Sequence, residues 1–199
     1  MAQRRLALPG PRPTLTQPSQ PDPAPAVPAG RPPGTPIWLL DVDGVLNVVC
    51  HPSRPPRTWS RWSSGTADAH GSRFLITFAP DLIAAIRDLH EAGAVEVRWL
   101  TTWGEHANGG LRELLSLPAF PVAAEPAVAS AWWKLPCAAR VVEEGRPVIW
   151  TDDDLRFSAT AARWAADMGV LAIAPRPSIG LTPADLDRIR AFCRPASAG

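Results

Sequence analysis

From Pro36 onward, short apolar runs alternate with segments whose apolar residues recur at helical spacing. Ile37, Trp38, Leu39 and Leu40 form a continuous apolar run without helical period, the pattern of a strand buried on both faces of a parallel sheet. Residues 74–78, 95–100, 147–150 and 170–174 read as further strands, and a short one is expected near 120–123. Between them, residues 80–92 place Leu82, Ile83, Ile86 and Leu89 on one helical face and stop at Gly93. Helices are also expected around 111–116, over 158–168, and over 134–144, where Pro136 falls in the first turn and Gly145 closes the element. The last helix announces itself with Thr182 as N-cap, Pro183 at the first position and Asp185 at the capping-box place. Strands separated by helical segments predict an α/β fold, a three-layer Rossmann-like domain with a mostly parallel sheet.

Residues 1–34 contrast with this pattern. They are rich in Pro, Ala and small polar residues, too poor in large apolar side chains to offset the entropy of ordering. A disordered or polyproline-II tail is therefore expected there, followed by one domain over 35–199. A length of 199 residues suits one domain with a sizeable core. The formal net charge of +1 gives no whole-chain argument for binding nucleic acid or an anionic membrane. Cys50, Cys137 and Cys193 are far apart and show no metal-ligand spacing, so free thiols in a reducing, cytoplasmic setting are expected. No apolar stretch reaches bilayer-spanning length, and the basic start lacks the apolar region of a signal peptide.

The candidate chemistry sits where the strands end. Asp41 and Asp43 follow the first strand, Thr101 follows the second, and Asp152 and Asp153 follow the third. In open α/β sheets the ligand crevice lies outside the carboxyl ends of the strands, so these groups can converge although distant in sequence. Converging carboxylates repel unless a cation lies among them, and hard oxygen ligands favour Mg²⁺. Lys134, the one lysine of the chain, and a hydroxyl beside such an ion suit a phosphoryl group, with one aspartate as nucleophile. Each piece also has a plainer reading: Asp-x-Asp-Gly as a side-chain-capped loop, Lys134 as a surface lysine, and residues 152–154 as a helix cap. An EF-hand is excluded, because Val45, Leu46 and Pro52 stand where it needs an oxygen ligand, a glycine and a glutamate.

Asp41-Val42-Asp43-Gly44-Val45-Leu46 after an apolar strand, Thr101 at a strand end, Lys134, and Asp152-Asp153 after a third strand together resemble the haloacid dehalogenase superfamily, in its small-cap or capless form. The resemblance implies a Mg²⁺-dependent phosphatase. Asp41 would be nucleophile and metal ligand. Asp43 would be general acid and base, with its main-chain carbonyl on the metal. Thr101 and Lys134 would hold the phosphoryl oxygens, and Asp152 and Asp153 would serve the metal. Thr102 rivals Thr101, since one residue decides which side chain faces the crevice.

Residues 48–78 are too few for a large cap and suit a β-hairpin flap. They interleave Trp59 and Trp62 with Arg54, Arg57, Arg61 and Arg73, so a phosphorylated nucleic acid is an alternative substrate, its bases stacked on the indoles. The alternative for the tryptophans is packing of the insert onto the domain. A catalytically silent binding protein on the same fold is the third possibility, and the full set of carboxylates speaks against it.

Overall fold

The computed structural model describes residues 34–51, 53–126 and 132–194; the tail expected over 1–34 lies, apart from Gly34, outside them. Four parallel strands, β1 (Ile37–Leu40), β4 (Glu96–Trp99), β5 (Val148–Thr151) and β6 (Leu171–Ile173), form one sheet in the order β4-β1-β5-β6. The four-residue strands β1 and β5, apolar throughout except for Thr151 at the end of β5, are the inner pair, and every residue of both is buried. Edge strand β4 alternates instead. Val97 and Trp99 enter the core, while Glu96 and Arg98 form an ion-pair network with Glu144 and Arg146.

Side chains leave the sheet alternately into two apolar clusters, as strand geometry requires. One gathers Trp38, Leu40, Val97, Trp99 and Ile149 with α1 (Pro80–Glu91) and α5 (Pro183–Phe192). The other gathers Ile37, Leu39, Val148 and Trp150 with α3 (Lys134–Val142) and α4 (Ala159–Asp167). The α/β class and the mostly parallel sheet flanked by helices are thus as the periodicity predicts. The start of α5 carries the expected capping box, Thr182 and Asp185 each accepting from the other's main-chain N–H.

One expected strand is absent, and one strand that the periodicity does not mark is present, in the insert that suits a hairpin. Around 120–123 there is one isolated bridge, between Trp99 and Val122, rather than a strand. Pro121 has no N–H to donate, so this segment gives the edge of β4 one acceptor, the Pro121 carbonyl to Trp99 N–H, and one donor, Ala123 N–H to the Trp99 carbonyl. Ahead of the foreseen strand at 74–78 runs a second, β2 (Ser63–Ala69), antiparallel to β3 (Ser72–Phe78). Its sequence, SSGTADA, lacks large apolar residues. Its pairing is set by a two-residue His70-Gly71 turn with both φ positive, as twisted hairpins prefer, and Ala67 and Ala69 enter the first cluster beside α2 (Gly110–Leu115).

Among the described residues no helix is long and apolar enough to cross a membrane. Trp59 and Trp62 pack against the first cluster, and the Trp59 indole donates to the Leu181 carbonyl at 2.8 Å. Arg61 pairs with Asp81 and Arg73 with Asp68. The packing alternative for the insert's tryptophans is therefore the arrangement found.

Candidate functional site

Parallel pairing places the ends of the inner strands side by side. Leu40 lies opposite Trp99 in β4 and Thr151 in β5, and the next hydrogen bonds run from Leu100 N–H to the Leu40 carbonyl and from Asp41 N–H to the Thr151 carbonyl. Asp41 is thereby flanked by the chain entering Thr101 on one side and Asp152 on the other. Lys134, the first residue of α3, reaches across this edge. Its Nζ lies 2.6 Å from Asp41 Oδ2 and 2.8 Å from Asp152 Oδ2, and all three groups are buried.

Asp152 serves two elements at once. One oxygen accepts from Lys134, while Oδ1 accepts from Asp154 N–H at 3.0 Å and caps the 3-10 turn Asp153–Phe157. The cap reading and the site reading of these acids are both realised in one side chain, and Asp154 contributes its N–H rather than its carboxylate. The Trp150 indole adds a donor to Asp152 Oδ2 at 3.3 Å. Asp153 completes a group of three with Asp41 and Asp152, whose candidate ligand oxygens all lie within 4.8 Å of one another. It approaches so closely because Gly44, at φ +71°, has no side chain: a Cβ there would stand 2.6 Å from Asp153 Oδ2.

The electrostatics follow from this crowding. Burial raises the Asp41 carboxyl to about 7, with Lys134 pulling it down and Asp152 pushing it up. Asp153 is raised to about 6, by burial first and then by Asp41 and Asp154. Burial also raises Asp152, against the pull of Lys134. For Lys134 burial works downward, yet Asp41 and Asp152 outweigh it and hold the ammonium above its ordinary value. Three buried or half-buried acids around one ammonium keep an excess of negative charge, the condition that a cation relieves.

Asp43 stands apart from the Lys134 cluster. Its Oδ1 accepts from Asn47 Nδ2 at 2.7 Å and its Oδ2 from Trp103 Nε1 at 2.9 Å. Thr101 is wholly buried and its hydroxyl accepts from Trp103 N–H, whereas Thr102 is exposed, so Thr101 is the threonine turned into the protein. The structure thus joins Asp41, Lys134, Asp152 and Asp153 directly, and links Asp43 to Thr101 through Trp103. Asn47 and the donor roles of the Trp103 and Trp150 indoles were not legible, although Trp103 reads from the sequence as either a wall of the site or part of the core. Their only sequence signals are that Asn47 closes the loop begun by Asp41, and that each indole lies within two residues of a candidate site residue. A comparison with protein-family models gives no match, and a comparison with curated proteins gives none either.

Proposed function

We propose that the chain is a Mg²⁺-dependent phosphatase of the haloacid dehalogenase type, acting on phosphomonoesters through an aspartyl phosphate on Asp41. The observation that carries this reading is the bridging of Asp41 and Asp152 by Lys134 Nζ at 2.6 and 2.8 Å, with Asp153 alongside, at the carboxyl ends of β1 and β5. The donors are hard carboxylate oxygens with no thiolate or imidazole among them, which fits Mg²⁺. Asp41, Asp152, Asp153 and the main-chain carbonyl of Asp43 would hold the ion, which when bound supplies positive charge against the phosphoryl oxygens. In this reading the helices of the two clusters form the outer layers of a three-layer domain, and the β2–β3 hairpin is its small flap.

In the first step an Asp41 oxygen attacks phosphorus in line. The bond from phosphorus to the leaving oxygen breaks with its electron pair, and Asp43 gives that oxygen a proton. Water then attacks the same phosphorus, Asp43 takes the water proton, and the bond to Asp41 breaks, releasing phosphate and restoring the carboxylate. Lys134 and Thr101 hold phosphoryl oxygens throughout, replacing the hydration that the buried site excludes.

A panel of small phosphomonoesters and of 5′- and 3′-phosphorylated oligonucleotides, assayed with Mg²⁺ and with chelator, tests the proposal. Chelator-sensitive phosphate release from small esters is expected. Release from oligonucleotides alone would move the assignment to end processing, and no release from any substrate would contradict it.

A further inference from the structure

Asp43 is gripped at both carboxylate oxygens by side chains to which the reaction gives no part. Asn47 Nδ2 donates to one at 2.7 Å and Trp103 Nε1 to the other at 2.9 Å. Both grips lead to the same strand. The Asn47 amide oxygen accepts from Thr77 N–H at 2.9 Å, and the Trp103 ring packs on Phe74 with centroids 5.3 Å apart. Phe74 and Thr77 both belong to β3. We infer that Asn47 and Trp103 are positioning residues for Asp43, and that β3 sets the carboxylate through them, so that the hairpin governs proton transfer. The part concerning proton transfer rests on the phosphatase reading; the mechanical link does not.

Several features make the grip specific. A main-chain N–H can only donate, so Thr77 requires the Asn47 oxygen on its side and leaves the amide N–H groups for Asp43. The loop that carries both residues is tightly wound: Leu46 and Asn47 N–H both reach the Val42 carbonyl, and Gly44 N–H reaches the Asn47 carbonyl. It is held from outside by Val48 N–H to the Thr77 carbonyl and by Leu181 N–H to the Val45 carbonyl. Trp103 is buried, yet its indole N–H is directed to Asp43 rather than left unpaired. The hairpin is tied a second time to the segment carrying Trp103, by His70 Nε2 to the Thr102 carbonyl at 3.0 Å and by the edge-on contact of His70 with His106.

The chemical consequence concerns which proton can move. A carboxylate offers about two acceptor positions on each oxygen. The grip takes one on each, leaving one on each for the leaving group or water. Neither an amide nor an indole releases its proton near neutral pH, so the two donors orient Asp43 without replacing it. Phe74 is 41% exposed, so whatever rests on its face of β3 presses on the same chain of contacts.

The test uses the full chain and the variants Trp103→Phe, which keeps a ring against Phe74 but loses the N–H, Phe74→Ala and Phe74→Tyr. In the pre-steady-state burst, Trp103→Phe should slow esters of poor leaving groups by about 10- to 100-fold, the scale of a misplaced catalytic group, and p-nitrophenyl phosphate far less, with KM unchanged. Phe74→Ala should give a smaller loss of the same kind, restored by Phe74→Tyr. Independently of activity, the Trp103 indole N–H, assigned in proton–nitrogen spectra by its loss in Trp103→Phe, should exchange faster with solvent in Asp43→Ala and in Phe74→Ala. Equal loss for all leaving groups in folded variants, or an indole N–H whose exchange ignores both substitutions, would overturn the inference. If the wild-type chain releases phosphate from no ester, the phosphatase reading falls and the indole measurement alone decides the link: faster exchange sustains it and unchanged exchange overturns it.

Discussion

Replacing Lys134 by methionine keeps the length of the apolar stem and removes the one cation between two buried carboxylates. In the wild type the ammonium lies 2.6 Å from Asp41 and 2.8 Å from Asp152, both buried. Removing one partner of a buried ion pair costs about 3 to 5 kcal/mol, because the remaining charge is left uncompensated. For a domain of this size each kcal/mol moves the melting temperature by about 2 to 4 °C, so a fall of about 6 to 20 °C is expected at pH 8 with chelator present. The sign of the pH dependence is fixed by the direction of the shifts. Asp41 is held at about 7 by burial even with the ammonium beside it, so its folded-state pKa lies above the unfolded value and rises further without Lys134. A carboxyl raised on folding binds its proton more tightly in the native state, so the stability of the variant falls as pH rises toward 8 and recovers on acidification. Melting curves of both proteins from pH 5 to 8 provide the assay. A variant that melts with the wild type at pH 8 would refute the view that Lys134 is a buried counter-ion rather than a surface lysine.

Gly44→Ala should lose about 1 to 3 kcal/mol, since its φ of +71° is strained for alanine and its Cβ collides with Asp153; a Mg²⁺ titration of the melting temperature should also show weaker binding. Trp59→Phe removes the donor to the Leu181 carbonyl and should cost about 1 to 3 kcal/mol by denaturant melt, with affinity for a phosphorylated oligonucleotide unchanged; a selective loss of that affinity would restore the base-stacking role. Glu96 lies below its ordinary value because hydrogen bonds from Arg98 and Arg146 outweigh the opposing effect of burial. Its contribution is therefore present above the unfolded pKa of about 4.3 and lost as pH falls through the lower folded value, so Glu96→Gln should melt below the wild type at pH 7 and approach it below about pH 4.

The inner strands were legible because burial on both faces demands uninterrupted apolar residues, and β1 and β5 have them. Their ends were legible for the same reason, which sets Asp41 and Asp152 at one edge of the sheet; Lys134, at the start of a helix, carries no such signal of its pairing with them. Strand β2 was not legible, since the alternation of SSGTADA is confined to residues 66–69 with alanine as its only apolar residue, and the strand is ordered by its partner and by the turn at His70-Gly71. Pro121 broke the expectation at 120–123 by lacking a donor. The grip on Asp43 depends on sheet order: Trp103 reaches it across 60 residues only because β4 lies beside β1, and one sequence does not state which strands are neighbours. Trp59 and Trp62 show the converse, since aromatic residues beside arginines read alike whether they face a ligand or a core.

The central claim is that Asp41 becomes phosphorylated, and the most direct measurement is to quench the chain in acid during turnover of a labelled phosphomonoester with Mg²⁺ and to locate the phosphoryl group by peptide mass. The account predicts an acid-stable, base-labile phosphoryl group on Asp41 that disappears with chelator and in Asp41→Asn, a variant that still folds. Turnover with label on another residue, or undiminished turnover by Asp41→Asn, would contradict it.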